Sequence, residues 1–340
     1  MKTMKTAVMT GIRKMKFENR PIPILGSDEV LVKLEYVGIC GSDIHYYESG
    51  KIGDFIVEPP FVLGHECAGT IVEVGQNVKH LAKGDRVALE PGKTCKICKY
   101  CREGDYHLCP DVIFFATPPV DGVFQEYVAH EAALCFKLPD NVSTLEGALI
   151  EPLAIGFHAA NYGGAELGQT AVVFGAGCIG LVSMLALKAK AVTKVIVVDS
   201  LKKRLDKALE LGADEVINFT EADVAAHIND IDLCIETSGA QSATATAIDI
   251  CAKGATIVMV GYSSSDNISI PMNAAINKEL TFKSIFRYRH IYPMAIEAVA
   301  SGKVKLKALA DYICDFDELP KAMEHVIEKK ADIVKAVVRI

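Results

Sequence analysis

The apolar run Thr170–Phe174 (TAVVF) leads directly into Gly175-Ala176-Gly177-Cys178-Ile179-Gly180, and the residues from Ile179 to Lys190 carry a helical face. Strand, glycine turn and helix in that order constrain this chain more than any other feature. A lone G-x-G-x-x-G is weak, since glycine clusters are common in ordinary turns. Between a strand and a helix its glycines acquire separate tasks. The first permits the tight turn, the second lets a pyrophosphate approach the backbone, and the third allows close helix packing. The free N–H groups at the helix start then face the phosphates. Lys194–Val198 (KVIVV) is the next strand, and Asp199 ends it. A carboxylate there accepts hydrogen bonds from a ribose 2′-hydroxyl and repels a 2′-phosphate, which favours NAD over NADP. Arg204 pulls the other way, because a nearby arginine accommodates that phosphate. The candidate dinucleotide residues are Gly175, Gly177, Ile179, Gly180, Asp199 and Arg204; a structural turn beside a surface aspartate is the plain alternative.

Further apolar runs at Asp232–Glu236, Ala255–Gly261 and Leu280–Ile285, separated by helical stretches such as Lys202–Leu211, predict a doubly wound parallel sheet over residues 153–289. Residues 1–152 read differently. Val30–Val37, Gly69–Val74 and Gly84–Leu89 are short runs broken by Gly or Pro, the pattern of a β-rich, barrel-like domain. In the tail, Pro293–Ala300 and Leu319–Glu328 read as helices and Ile333–Ile340 as a strand. That strand lacks a partner of its own, so residues 290–340 are expected to return to the first domain. At 340 residues, two domains are the natural count.

Composition narrows the function. Half of the residues are apolar and 23% are charged, so a sizeable core is expected. The net charge of −7 argues against a nucleic-acid or anionic-membrane surface. Ala171–Leu187 is the longest apolar stretch; it falls short of the ~18 residues of a spanning helix and is broken by glycines. Met1–Thr10 lacks the apolar run of a signal peptide. A cytoplasmic protein is therefore expected; its cysteines, an odd eleven, point to metal ligation by some of them rather than to a disulfide framework.

Four of those cysteines crowd into one loop. Cys95, Cys98, Cys101 and Cys109 are spaced C-x2-C-x2-C-x7-C inside a lobe at about 91–110. Four thiolates close a tetrahedral shell around zinc and leave no place for substrate. An iron–sulfur cluster is the competing reading, and four unligated thiols fit poorly in so polar a loop. A second set is open. Cys40-Gly-Ser-Asp-Ile-His45, Gly64-His65-Glu66 and Glu151-Pro152 offer a thiol, an imidazole and two carboxylates. Three protein ligands would leave a fourth position for an alcohol, whose pKa the metal lowers so that a hydride can depart. Taken singly, each residue is more often structural; their joint presence beside a dinucleotide turn lifts the set.

These motifs, in this order, resemble the zinc-dependent medium-chain alcohol dehydrogenase superfamily over essentially the whole chain. His45-Tyr46-Tyr47, Phe114-Phe115-Ala116-Thr117-Pro118-Pro119 and Phe286-Arg287-Tyr288 are similar to substrate-pocket segments of its polyol branch, the sorbitol and xylitol dehydrogenases. The resemblance implies a Rossmann domain plus a GroES-like catalytic domain, NAD as cofactor, and one catalytic and one structural zinc per chain. It implies Cys40, His65 and Glu66 as direct zinc ligands, with Glu151 reaching the metal through water or, as elsewhere in the superfamily, directly. Asp43 would orient the ligand histidine, and Ser42 and His45 would relay the alcohol proton. Tyr46, Phe114, Thr117, Glu151, Arg287 and Tyr288 would meet the polyol, although core packing is an ordinary role for the aromatic ones. A homotetramer or homodimer built through the cofactor domains is also implied. Animal sorbitol dehydrogenases typically lack the complete set of four lobe cysteines, so the full set points to a microbial-type member.

The expected activity is oxidation of a secondary hydroxyl of a sugar alcohol to a ketose, with hydride transfer to NAD. A zinc dehydrogenase of threonine, butanediol or a simple alcohol is the near alternative. A non-catalytic, dinucleotide-binding zinc protein acting as a redox sensor is the distant one.

Overall fold

The structure is a computed structural model that describes residues 2–265 and 267–340. The chain packs as two compact units. One comprises Met1–Glu151, Tyr292–Ala300 and Leu306–Ile340; the other comprises Pro152–Ile291 and Ser301–Lys305.

In the first unit the longer elements are β1 (Thr3–Gly11), β2 (Lys14–Pro21), β3 (Glu29–Ile39), α1 (Gly41–Ser49), β4 (Glu66–Val74), β5 (Arg86–Leu89), β6 (Tyr127–Glu131) and β7 (Cys135–Lys137). Helix α2 (Ile150–Gly163) carries the chain into the second unit. There β8 (Thr170–Phe174), α3 (Cys178–Ala189), β9 (Lys194–Asp199), α4 (Lys202–Glu210), β10 (Glu215–Asn218), β11 (Ile231–Glu236), α5 (Gln241–Ile250), β12 (Cys251–Met259) and β13 (Thr281–Ser284) follow. The tail supplies α6 (Tyr292–Ala300), β14 (Tyr312–Asp315), α7 (Leu319–Glu328) and β15 (Ala336–Arg339) to the first unit.

The first unit centres on a seven-stranded sheet in the order β7-β5-β4-β3-β15-β14, with β6 also pairing β3. Strand β3 pairs antiparallel with β4, β6 and β15. Inward residues such as Val32, Leu34, Val37, Ile71, Val87 and Phe124 are fully or almost fully buried, and α7 adds Leu319, Ala322 and Met323. Each such side chain contributes roughly 1.5–3 kcal/mol of transfer free energy. The terminal strand docks on β3, through Ala336↔Ile39 and Val337↔Gly38. It is shorter than the 333–340 read from hydropathy. The Asp311 carboxylate accepts the N–H groups of Val334 and Lys335, at 2.9 and 3.0 Å, and so withdraws them from the ladder.

The second unit is a six-stranded, all-parallel sheet in the order β10-β9-β8-β11-β12-β13. This is the doubly wound order, which places its switch point at the carboxyl ends of β8 and β11. The apolar strands β8, β9 and β11 match the sequence expectation to within a residue at each end. Strand β10 (EVIN) escaped notice because it is a short edge strand with only Ile217 buried. The Ala171–Leu187 stretch resolves into strand, turn and helix, and among the described residues no helix is long and apolar enough to cross a membrane.

Candidate active site

Strand register assembles the first constellation. In the β3–β4 pair Gly38 lies opposite Glu66, so the segment leaving β3 (Cys40) and the segment entering β4 (His65) meet at one end of the sheet. Cys40 then stands at the N-cap of α1, where partial positive charge favours an anionic ligand. The Cys40 Sγ, a His65 ring nitrogen and a Glu66 carboxylate oxygen lie within 4.8 Å of one another. Gly38 makes room for this: a Cβ there would fall 1.9 Å from Glu66 Oε2. A mixed S, N and O donor set of this size suits zinc, and three ligands leave a position open.

Asp43 ties the ligand-bearing segments together. Fully buried, it accepts the Cys40 N–H at 2.9 Å and the Gly64 N–H at 2.8 Å. Its nearest approach to His65 Nδ1 is 3.9 Å, longer than a hydrogen bond, so it acts on the imidazole through the two backbones it holds and through its charge, not by accepting a ring N–H. Burial raises the Asp43 pKa, against the charge of His65 and the two N–H bonds. For His65, burial alone would lower the value, but Cys40, Asp43 and Glu151 together carry it well above the ordinary imidazole range. The anionic neighbours thus favour a positive charge at this position. Glu151, in the first turn of α2 and 6% exposed, contributes charge to His65 but stands outside the group of three.

The positive charge here comes from a residue that sequence reading missed. Lys335, just before β15, forms an ion pair with Glu66, and its Nζ donates to the Ile39 carbonyl at 3.2 Å. Lys335 is 3% exposed and Glu66 1%. The available signal was a lysine embedded in the apolar run IVKAVV, since a charge buried in a strand needs a partner.

On α1, Ser42 is half-buried and His45 exposed, three residues apart on one face, while Tyr46 is buried. Phe114 stands beside the site, its ring centroid 5.8 Å from that of His65, and the Thr117 N–H donates to the Phe114 carbonyl at 3.1 Å. Arg287 and Tyr288 belong to the second unit; the Arg287 guanidinium lies over the Phe286 ring at 4.4 Å, and Tyr288 is buried.

The cysteine lobe forms the second group that could hold a metal. The Sγ atoms of Cys95, Cys98, Cys101 and Cys109 lie within 4.8 Å of one another. Neither the short helix Lys99–Glu103 nor the 3-10 turn Tyr106–Leu108 buries a single residue, and Ile97 is 70% exposed. The lobe has no apolar core. Backbone N–H groups point at sulfur instead, from Cys98 to Cys95 at 3.3 Å and from Cys95 to Cys109 at 3.4 Å. Such donors, from Ile97 first and then Cys98, pull the Cys95 thiol down to about 7. Tyr106 leaves the lobe to donate to Glu90 Oε1 at 2.8 Å, and burial pushes Glu90 up to about 7.

In the second unit the three glycines act for three reasons. Gly175 has φ +95°, and a Cβ there would meet Thr237 Oγ1 at 2.7 Å. A Cβ at Gly180 would fall 1.7 Å from the Gly175 carbonyl oxygen, so this glycine lets the helix sit on the turn. Over Gly177 the space is open, with the Arg204 guanidinium nearest at 3.9 Å. That opening at the start of α3 fits a phosphate, and half-buried Ile179 lies in the same first turn. Asp199 ends β9 as expected, 8% exposed, and its two oxygens accept the N–H groups of Ala176 at 2.6 Å and Leu201 at 2.9 Å. It therefore also shapes the glycine turn.

Comparison with known proteins places this arrangement. The alcohol dehydrogenase GroES-like domain family matches residues 26–140, and the zinc-binding dehydrogenase family matches residues 178–301. The chain is 42% identical to a sorbitol dehydrogenase of Bacillus subtilis, across 98% of this chain and 97% of that one. It is 43% identical to a sorbitol dehydrogenase of Rattus norvegicus, across 93% and 91%. A crystal structure from Escherichia coli, described as an oxidoreductase/dehydrogenase of unknown specificity, superposes with a TM-score of 0.95 at 40% identity, covering 100% of this chain and 99% of that one. With both family regions matched and relatives this similar along nearly their whole length, the chain belongs to the zinc-binding, GroES-like alcohol dehydrogenase family.

Proposed function

We propose that the protein oxidises a secondary hydroxyl of a sugar alcohol to a ketose and passes the hydride to NAD. The observation that carries this reading is the Cys40, His65 and Glu66 donor group, incomplete as a tetrahedral shell, in a chain that also holds an open glycine turn. Cys40, His65 and Glu66 would hold a zinc ion, with Glu151 acting through water. When bound, that ion supplies Lewis-acid chemistry, lowering the pKa of the alcohol so that it reacts as the alkoxide.

The chain's own residues do the rest. Asp43 keeps the ligand segments together. Half-buried Ser42 takes the hydroxyl proton and passes it along one face of α1 to exposed His45, which releases it to solvent. Tyr46, Phe114 and Thr117 of the first unit, and Arg287 and Tyr288 of the second, are the residues assigned to substrate selection. The hydroxyls and guanidinium among them penalise an alcohol that leaves them unpaired. Gly175, Gly177, Ile179 and Gly180 cradle the pyrophosphate, with Arg204 alongside, and Asp199 accepts the ribose hydroxyl. Cys95, Cys98, Cys101 and Cys109 would hold a second, structural zinc.

Two further parts of the reading concern assembly and cellular setting. A homotetramer or homodimer built through the second units is supported by β13, which is an edge strand, and by Tyr262, Met272 and Ile276, which are 75%, 50% and 63% exposed. Eleven cysteines with no disulfide among the described residues support a reducing, cytoplasmic setting.

Steady-state kinetics with NAD test the activity. Sorbitol, xylitol or galactitol should exceed 2-propanol and 2,3-butanediol in kcat/KM by about 100-fold, the scale set by unpaired polar groups in a pocket. A preference for the simple diol would replace the polyol assignment with a butanediol-type one.

A further inference from the structure

Lys335 is the one buried lysine among the described residues, and it reaches its position from the far end of the chain. It is 296 residues from Ile39, whose carbonyl it meets, and the β3–β15 register delivers it there. A buried ammonium needs both a hydrogen-bond acceptor and a counter-charge. Ile39 provides the first and Glu66 the second. The oxygen of Glu66 that faces Lys335 is Oε2, the atom for which Gly38 leaves room. Glu66 is also a member of the three-residue donor group. One carboxylate therefore has two claimants, a fixed cation in the fold and an exchangeable cation in the site.

We propose that Lys335 is a positioning residue that weakens the hold of Glu66 on the catalytic metal. Its ammonium competes for the carboxylate and repels the incoming cation. This rests on the metal-centre reading above. A shell of thiolate, imidazole and fully committed carboxylate would carry more negative charge toward the metal than a shell in which the carboxylate is shared. Sharing leaves the centre more electropositive, and an electropositive centre favours an anionic alkoxide. The cost is a less firmly held ion.

The test is equilibrium competition between the zinc-loaded protein and a chelator, with zinc counted per chain and the zinc of the cysteine lobe as internal reference. Lys335→Met should bind the exchangeable zinc about tenfold or more tightly, the scale of removing one buried neighbouring charge. Lys335→Arg, which keeps the charge, should stay within about threefold of the parent. In a Glu66→Gln background, Lys335→Met should tighten zinc by less than it does in the parent, because only the direct repulsion between ammonium and cation remains; an equal gain would mean that the carboxylate is not shared. Should Lys335→Met fail to fold, Lys335→Gln retains a polar head for the Ile39 carbonyl and carries the same expectation. A lysine that merely anchors the last strand would lower stability and leave zinc affinity unchanged; that result, or weaker binding, overturns the proposal. A separate control protects the distinction between this inference and the one beneath it. If Cys40→Ser removes no zinc, the metal-centre reading fails. If Cys40→Ser removes one zinc while Lys335→Met has no effect, only the role of Lys335 fails.

Discussion

The two cysteine-bearing centres of the first unit are built on opposite principles. The lobe draws its four sulfurs from Cys95 to Cys109, one short stretch with no buried helix residue. The Cys40, His65 and Glu66 group is gathered by the sheet, with strand register setting the geometry and Lys335 added from the C-terminal end. In the lobe a metal would hold the chain; at the other centre the chain holds the ligands. Closed shells of local ligands serve folding, whereas an open shell on a stiff sheet is preorganised for chemistry. The same cysteine-to-serine change should therefore injure the two centres in different ways.

The largest effect is expected at the open centre. Cys40→Ser should lower turnover by at least about 1,000-fold, the order for loss of a catalytic metal. It should remove one zinc per chain and leave the melting temperature nearly unchanged, because the surrounding strands are buried without help from the metal. Metal analysis beside thermal unfolding checks this. A variant that keeps its zinc and its activity would end the assignment; one that collapses would show that the open centre is a staple too, and the contrast would be lost.

In the lobe the order of injury reverses. Cys101→Ser should loosen residues 91–110, and structural zinc sites of this kind contribute several kcal/mol to local folding. Lys96, Lys99 and Arg102 are exposed, so limited trypsin digestion reads the opening directly. Cleavage there should accelerate about 100-fold, as expected when a local opening equilibrium shifts by roughly 3 kcal/mol. Resistance equal to that of the parent would mean that the lobe holds itself together by other contacts.

The contrast also explains what was legible in the sequence. A local ligand set advertises itself, so the spacing from Cys95 to Cys109 could be read at once. So could β8, the glycine turn and β9, because apolar strands buried on both faces form continuous runs. Cys40, His65 and Glu66 could be read, with His45 and Glu151, as an open set of candidates, and the resemblance singled them out, since nothing in spacing alone brings residue 40 beside residue 65. Glu66 against Lys335 was out of reach, because that pairing depends on β15 docking antiparallel on β3. Gly38 was similarly silent; its importance lies in an oxygen of another strand. Glu90 was missed because a carboxyl at the end of VALE reads as a surface residue until Tyr106 and the sheet cover it.

Glu90 is the point where the two regions meet, and it supplies the subtlest test. Its carboxyl is 4% exposed, receives the Tyr106 hydroxyl from the lobe, and is pushed up to about 7, first by burial and further by the charge of Glu151. In the unfolded chain the same group titrates near 4.5. Between these values the folded state keeps a proton that the unfolded state has released, so stability falls as pH rises through the window. Below 4.5 both states are protonated and no penalty exists; above 7 it is fully imposed, at about 3 kcal/mol. Glu90→Gln cannot ionise. Denaturant unfolding should therefore give equal stabilities for the two proteins at pH 4 and an advantage of about 3 kcal/mol for Gln at pH 8. Parallel curves would remove Glu90 from the account. The Tyr106 bond opposes burial, so Tyr106→Phe, which deletes the bond and keeps the ring, should raise the Glu90 midpoint further, by the equivalent of roughly 1 kcal/mol for one lost hydrogen bond. A midpoint that ignores the lobe would show that the two centres share a unit without sharing any energy.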